Sequence, residues 1–264
     1  MDMAKLLIYY VNADLFTIDS PNNFDIDHSL IAIPTTASSG SEETHFAVVY
    51  KNGTKYSKSH QGLKPIESIL IPELAWQCSK SQIVYSALDA FTQAIESFWS
   101  RGGNDESRGY AKMAIELLKT NLYSAIHNSD FDAFEKVVIA SNYSGKAINI
   151  SKTTSCHALS YYFTAKHGIP HGLAVALILP AIYQFHVDNW KDELMDKLQS
   201  ITGWSQESAS EDIRLYLRLI GAPDTFESVG VSIDEVFDEM SQTVNNERLE
   251  NNPIELNFIE LKQL

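Results

Sequence analysis

"SALDAFTQAIESFWS", residues 86–100, is the stretch from which the fold and the site can both be read. It reads as a strongly apolar helix with two polar residues, Asp89 and Gln93, four apart inside it. Side chains four apart on a helix lie about 5–6 Å from each other, so both point the same way, on a face the helix ought to bury. A polar stripe against solvent or a neighbouring helix would explain the pair. A metal ion explains it too, provided other ligands come from elsewhere. "TTSCHALSYYFTAKHGIPHG", residues 153–172, offers two.

His157 lies in a helical pattern with Leu159, Tyr161 and Phe163, and His171 follows Pro170 and opens the next helix. One carboxylate with two imidazoles matches a 2-His-1-carboxylate set, which suits Fe(II) and is accepted by Zn(II). Gln93 adds a weak neutral oxygen or leaves a coordination position open. His167 stands four before His171, but Gly168 and Pro170 interrupt any single helix between them. It is expected to face solvent or line a cleft. Cys156 is expected as a small buried filler.

Outward from these segments the chain divides near residue 72. Before it, "DMAKLLIYYVN" has helical spacing, "SLIAIP" and "ESILIP" read as short strands, and "TTASSGSE" as a polar loop. "THFAVVYKNGTKYSKSH" reads as a hairpin turning at Asn52-Gly53. After it, apolar periodicity and stop signals predict helices at about 80–100, 105–126, 130–150, 154–166, 171–188, 190–201, 206–220 and 232–244. The expected fold is therefore mainly α. A partial α/β section (1–72) precedes a large all-helical domain (73–264).

The totals narrow the function. Hydrophobic residues make up 44% and charged residues 20% of the 264, an ordinary globular composition. A net charge of −14 argues against nucleic acid or an anionic membrane as partner. The longest apolar run, "LAVALILPAIY", is too short to span a bilayer. The first residues lack the basic head and cleavage site of a signal peptide. Cys78 and Cys156 form no CxxC pair, which together with the missing signal makes a reducing cytoplasm the expected location.

Four motifs, in order, carry a resemblance. "PTTASSGSE" (34–42) resembles a "PTTAGTGSE" signature, and "DAFTQAIE" (89–96) a "DALxHAIE" helix. His157 with "PHG" (170–172) and "NNP" (251–253) follow. Together they resemble the iron-containing (group III) alcohol dehydrogenases, which share a fold with glycerol dehydrogenase and dehydroquinate synthase. "TQAIESFWS" and "GKAINISKTTSCHALSY" look most similar to a branch that reduces phosphonoacetaldehyde-type aldehydes.

The resemblance implies an NAD(P)-linked alcohol dehydrogenase or aldehyde reductase holding Fe(II) or Zn(II) on Asp89, His157 and His171, with Gln93 where the family has a histidine. It implies that Thr35, Thr36 and Ser39 contact the nicotinamide side. One or both of Lys146 and Lys152, flanking "AINIS" in a chain short of cations, are expected to receive an anionic group of the substrate, with His45 assisting. Family members carry an N-terminal dinucleotide-binding half ending in "GGGSxxDxAK", of which "DMAK" (2–5) stands here. The chain thus reads as an N-terminally shortened member or one half of a split pair. Open sheet edges would then favour a homodimer or a separate N-terminal fragment as partner. Two other readings are a pseudoenzyme that binds metal without turnover, and a cyclase of the dehydroquinate-synthase type.

Overall fold

The computed structural model describes residues 1–13, 29–51, 54–244 and 246–258. Helix α1 (Asp2–Ala13) is followed by strands β1 (Ile31–Ala32), β2 (Phe46–Lys51), β3 (Thr54–Ser59) and β4 (Glu67–Ser68). β2 and β3 pair antiparallel from Phe46↔Ser59 to Lys51↔Thr54. The Asn52-Gly53 pair expected to turn them lies outside the described residues. β1 and β4 pair in parallel over two residues each, Ile31↔Glu67 and Ala32↔Ser68, shorter than the strands expected there. Lys5 ties α1 to this section. Its buried ammonium donates to Ser41 O (2.6 Å), Thr44 O (2.6 Å), Thr44 Oγ1 (3.0 Å) and Phe46 O (3.1 Å).

The rest is helical: α2 (Pro72–Trp76), α3 (Lys80–Trp99), α4 (Asp105–His127), α5 (Phe131–Ser151), α6 (Ser155–His167), α7 (His171–Asn189), α8 (Glu193–Thr202), α9 (Ala209–Leu219), α10 (Ile233–Gln242) and α11 (Asn246–Glu250). Among the described residues no helix is long and apolar enough to cross a membrane. Sequence signals explain the boundaries. Ser79 with Gln82, and Asn104 with Ser107, form reciprocal capping boxes at the starts of α3 and α4. Asp130 caps α5 by accepting from the Ala133 N–H. Gly168 and Gly203 end α6 and α8 at φ 67° and 69°, a conformation glycine adopts without strain.

α3 lies at the centre, packed by α4, α5 and α7, and every residue from 87 to 99 is buried. A helix buried all round has no solvent face on which to leave polar groups, so each polar side chain in that run needs a partner. The loop of residues 34–42 reaches this core through close backbone contact. A Cβ on Gly145 of α5 would lie 2.4 Å from Gly40 O, and Gly40 itself has φ +55°. Glycine at both positions lets the loop rest directly on α5, beside Asp89.

Candidate metal centre

α3 presents Asp89, Gln93 and Glu96 at i, i+4 and i+7, which is one face. α6 brings His157 to it and α7 brings His171. Asp89 Oδ1 lies 3.3 Å from His157 Nε2 and 3.7 Å from His171 Nε2. One ligand atom from each of the three lies within 4.8 Å of the others. His157 is almost wholly buried, whereas the His171 side chain is 37% exposed. The centre is therefore closed on one side and open on the other. Ring stacking on Tyr161, at 6.0 Å and 10°, orients His171.

The rest of the buried face orients these groups. Asp89 Oδ2 accepts from Ser38 Oγ at 2.8 Å and from Gln93 Nε2 at 3.3 Å, while Gln93 Oε1 accepts from Ser144 Oγ at 2.9 Å. Gln93, expected as a weak oxygen donor to a metal, thus turns its amide nitrogen toward Asp89 and gives its oxygen to α5. Glu96, fully buried, accepts from Cys156 N (2.6 Å), His157 N (3.3 Å) and Thr154 Oγ1 (3.0 Å), and its other oxygen meets His157 Nδ1. The α6 N-cap residue, Thr154, makes no side-chain cap of its own. A carboxylate from α3 serves instead, satisfying N–H groups at the positive end of the helix dipole. The same carboxylate accepts from His157 Nδ1–H, so the neutral ring carries its lone pair on Nε2, facing the centre, while the protonated ring donates from Nε2 to Asp89 Oδ1. This carboxylate–imidazole pairing commonly supports metal-binding histidines.

The charges are mutually supporting. Burial pushes the Asp89 carboxyl up, but the His157 hydrogen bond, the neighbouring His171 and His157, and the Ser38 hydroxyl together hold it down, at about 2. Burial opposes ionisation of Glu96 as well, and His157 and Thr154 outweigh it, lowering its pKa. His157 is raised: burial disfavours its charge, but Glu96 and Asp89 more than compensate. One carboxylate and two imidazoles, one of them oriented by Glu96, suit a divalent Fe or Zn ion.

The centre opens into a cavity of about 530 Å³, lined also by Ser39, His45, Lys152, Tyr161, Arg248 and Asn251. His45 is held there by Asn149, whose Oδ1 lies 2.6 Å from the ring Nδ1 and 2.9 Å from the backbone N. Of the three loop residues expected at the nicotinamide, Ser39 lines the cavity, at φ 59°. Thr35 and Thr36 are exposed and do not line it. Lys152 lines the cavity. Lys146 does not: its ammonium lies 3.9 Å from Glu43 and 5.4 Å over the Tyr143 ring. Lys146 lies on α5, whereas Lys152 stands just past its end with φ 60°, so helical spacing does not bring the two to one face. His167 is exposed, and Cys156 is buried. Glu96, Ser38, Arg248 and Asn251 were not expected here. Glu96 carried a signal in its place seven residues after Asp89, and Ser38 and Asn251 stand within the motifs at 34–42 and 251–253.

Residues 83–264 match the Fe-containing alcohol dehydrogenase family, C-terminal, and residues 1–72 match iron-containing alcohol dehydrogenase. The chain belongs to the iron-containing alcohol dehydrogenase family. It is 31% identical over 161 residues to a phosphonoacetaldehyde reductase of Streptomyces viridochromogenes, which is 60% of this chain and 40% of that protein. It is 34% identical over 165 residues to an aldehyde-alcohol dehydrogenase of Clostridium acetobutylicum, covering 61% of this chain and 19% of the relative. Among solved structures, a sulfoacetaldehyde reductase from Bifidobacterium kashiwanohense in complex with NAD+ superposes with a TM-score of 0.82 at 28% identity. That match covers 92% of this chain and 65% of the other. An iron-containing alcohol dehydrogenase from Thermococcus thioreducens shares the fold, with a TM-score of 0.87 at 23% identity over 99% of this chain and 72% of that one.

Proposed function

We propose that this chain carries the metal and substrate site of an NAD(P)-linked alcohol dehydrogenase that interconverts a small aldehyde and its alcohol. In this reading residues 1–72 belong to the dinucleotide-binding side and 73–264 form the metal-binding domain. The observation that carries it is a single carboxylate oxygen, Asp89 Oδ1, faced by two imidazole Nε2 atoms at 3.3 and 3.7 Å at the end of an open cavity. When bound, a divalent ion supplies Lewis acidity at the substrate oxygen and the dinucleotide supplies or accepts hydride.

The chain's own residues do the rest. Asp89 contributes the negative charge that retains a cation. Glu96 holds His157 in the tautomer with a free Nε2. His171, more exposed, sits where the centre meets the cavity. Ser39 lies on the same cavity wall and is the loop residue best placed to meet a nicotinamide. The relatives named as phosphonoacetaldehyde and sulfoacetaldehyde reductases support a short aldehyde that carries an acidic group, with Lys152 and His45 on the wall to meet it.

The test is elemental analysis of the purified protein beside Asp89→Ala and His171→Ala, with NAD(P)H oxidation by short aldehydes followed on the same samples. One ion per chain, lost in both variants together with aldehyde-dependent oxidation, is expected. Metal binding that survives Asp89→Ala refutes the site. Full metal occupancy with neither nucleotide affinity nor turnover refutes the reaction and leaves a metal-binding protein.

A further inference from the structure

The two oxygens of Asp89 are used differently. Oδ1 faces His157 Nε2 at 3.3 Å and His171 Nε2 at 3.7 Å. Oδ2 accepts twice, from Ser38 Oγ at 2.8 Å and from Gln93 Nε2 at 3.3 Å. A carboxylate that binds a cation through both oxygens must turn both toward it. Here the second oxygen is already taken, by one donor from the 34–42 loop and one from α3 itself.

The Gln93 amide has a fixed sense. A metal-binding carboxylate is ionised and can only accept, so the Gln93 atom beside Oδ2 is the nitrogen. The amide oxygen, the atom of this side chain with a lone pair to give a metal, accepts instead from Ser144 Oγ of α5 at 2.9 Å. Turning the amide over would set oxygen against oxygen at Asp89 and break that bond. Gln93 and Ser144 are both buried, so solvent does not compensate for either loss. The scaffold behind them is tight. Ser144 precedes Gly145, and a Cβ on Gly145 would lie 2.4 Å from Gly40 O, while one on Gly40 would lie 2.2 Å from Gly145 Cα. This single contact of the loop on α5 fixes both serines, Ser38 at the carboxylate and Ser144 behind the amide.

We propose that Ser38, Gln93 and Ser144 are positioning residues that confine Asp89 to one-oxygen binding and keep the Gln93 amide out of the coordination sphere, so that the chain gives a divalent ion three donors and leaves the remaining positions to oxygen ligands from the cavity. The inference rests on the metal centre of the function proposed above and adds the donor number to it. A zinc ion with three protein donors keeps a place for a substrate oxygen, and a fourth protein donor would close it. Gln93, four residues from Asp89 on the same helix face, stands where a fourth donor could stand. Its hydrogen bonds withhold it.

The experiment strips the purified protein with a chelator and titrates it with Co(II) against a competing chelator. The visible absorption is followed, because its bands report how many donors surround the ion and of what kind. Gln93→Leu is expected to keep the wild-type spectrum, since no donor is lost, and to bind about tenfold more weakly, since the carboxylate loses a partner. Ser144→Ala is expected to weaken binding about threefold to tenfold, with no further effect in the Gln93→Leu background. Gln93→His, which sets an imidazole at the withheld position, is expected to change the spectrum and tighten binding. Melting curves of the stripped proteins show which variants fold, and if Gln93→Leu does not, Gln93→His and Ser144→Ala decide the matter. A Gln93→Leu spectrum with one donor fewer than wild type overturns the proposal, because the amide is then a ligand. So do wild-type affinity in both Gln93→Leu and Ser144→Ala, a Ser144→Ala loss that persists undiminished without Gln93, or a Gln93→His spectrum identical to that of the wild type. Cobalt that the wild type fails to bind, or that Asp89→Ala binds equally well, sinks the metal centre and the inference together. A cobalt site that needs Asp89 and loses a donor in Gln93→Leu sinks the inference alone.

Discussion

Replacing Glu96 with glutamine isolates the histidine tautomer from the fold. One carboxylate oxygen accepts from Cys156 N, His157 N and Thr154 Oγ1, and the other meets His157 Nδ1. Glutamine has the same shape. Its Oε1 must stay with the two backbone N–H groups and the hydroxyl, because Nε2 cannot accept from them. Nε2 is therefore left facing His157 Nδ1, to which it donates. The imidazole proton moves to Nε2, where it points at Asp89 Oδ1, 3.3 Å away, and the lone pair needed by a metal is gone. Loss of such an orienting partner costs about 10–100-fold in metal affinity, or about 1.4–2.7 kcal/mol. The metal-free fold loses less, since every donor around position 96 keeps an acceptor. Glu96→Ala is the contrasting case. It strands buried donors at the start of α6 and leaves His157 without its charge partner, at about 3–5 kcal/mol, a large share of the roughly 5–15 kcal/mol that holds a domain together. The assay is a zinc titration against a competing chelator, with thermal melts on the same samples. Glu96→Gln that melts near wild type and binds zinc within about twofold of it would refute the tautomer argument.

Two further predictions concern the scaffold. A Cβ on Gly172 would lie 1.9 Å from Tyr85 O, so Gly172→Ala must push α7 away from α3 and carry the adjacent His171 from Asp89. The expected cost is about 1–3 kcal/mol or more, a fall of about 4 °C or more in melting temperature, with zinc affinity falling alongside. A variant that melts as wild type contradicts the packing. Lys5 bears on pH. Burial lowers its ammonium from 10.5 to about 8, against the opposing pull of Asp2 and Glu42. Between pH 8 and 10.5 the unfolded chain then binds more protons at this site than the folded one, so this residue's contribution to stability rises with pH across that window. The full span is worth at most about 3 kcal/mol. Urea unfolding of wild type and Lys5→Met at several pH values isolates the slope, and a difference between them that is flat or falls with pH refutes it.

The helices were legible because their signals are local. The expected 80–100 and 105–126 stand as Lys80–Trp99 and Asp105–His127, bounded by capping boxes that lie within four residues. The strands were less so, since a strand extends only where a partner does. β1 and β4 pair with each other for two residues, and "ESILIP" leaves the strand after Ser68. Pro72, the last residue of "ESILIP", opens α2 at a position where its missing N–H costs nothing. The resemblance and the four-residue spacing brought Asp89, His157 and His171 to attention, and the folded chain sets them side by side. The orienting groups stayed out of view. Ser38 lies in a loop whose path no periodicity specifies, and Asn251 acts through carbonyls, which side-chain patterns do not record. Of the two lysines flanking "AINIS", Lys152 lines the cavity and Lys146 does not, because closeness along the chain does not fix where a side chain points.

What joins these observations is the short link between α5 and α6. Lys152, at its start, faces the cavity. Thr154, at its end, donates to Glu96 and accepts from Trp99 Nε1 at 2.8 Å. Ser155 Oγ donates to Asn252 Oδ1 at 2.9 Å, and the Asn252 amide lies 2.9 Å from His186 Nε2. Burial holds His186 far down, at about 3, so at neutral pH it is an uncharged acceptor for that amide. The Thr154 and Ser155 hydroxyls and the carbonyls of residues 151 and 153 are thus held by α3 or by residues 251–252, and neither can shift without disturbing the other, while Thr153 Oγ1 is buried without a partner. His157 of the candidate metal centre lies three residues beyond Thr154. Position of the ligand, start of the helix and conformation of the cavity lysine are consequently one structural variable, which explains why so many buried hydroxyls and amides gather where an apolar core would otherwise have closed.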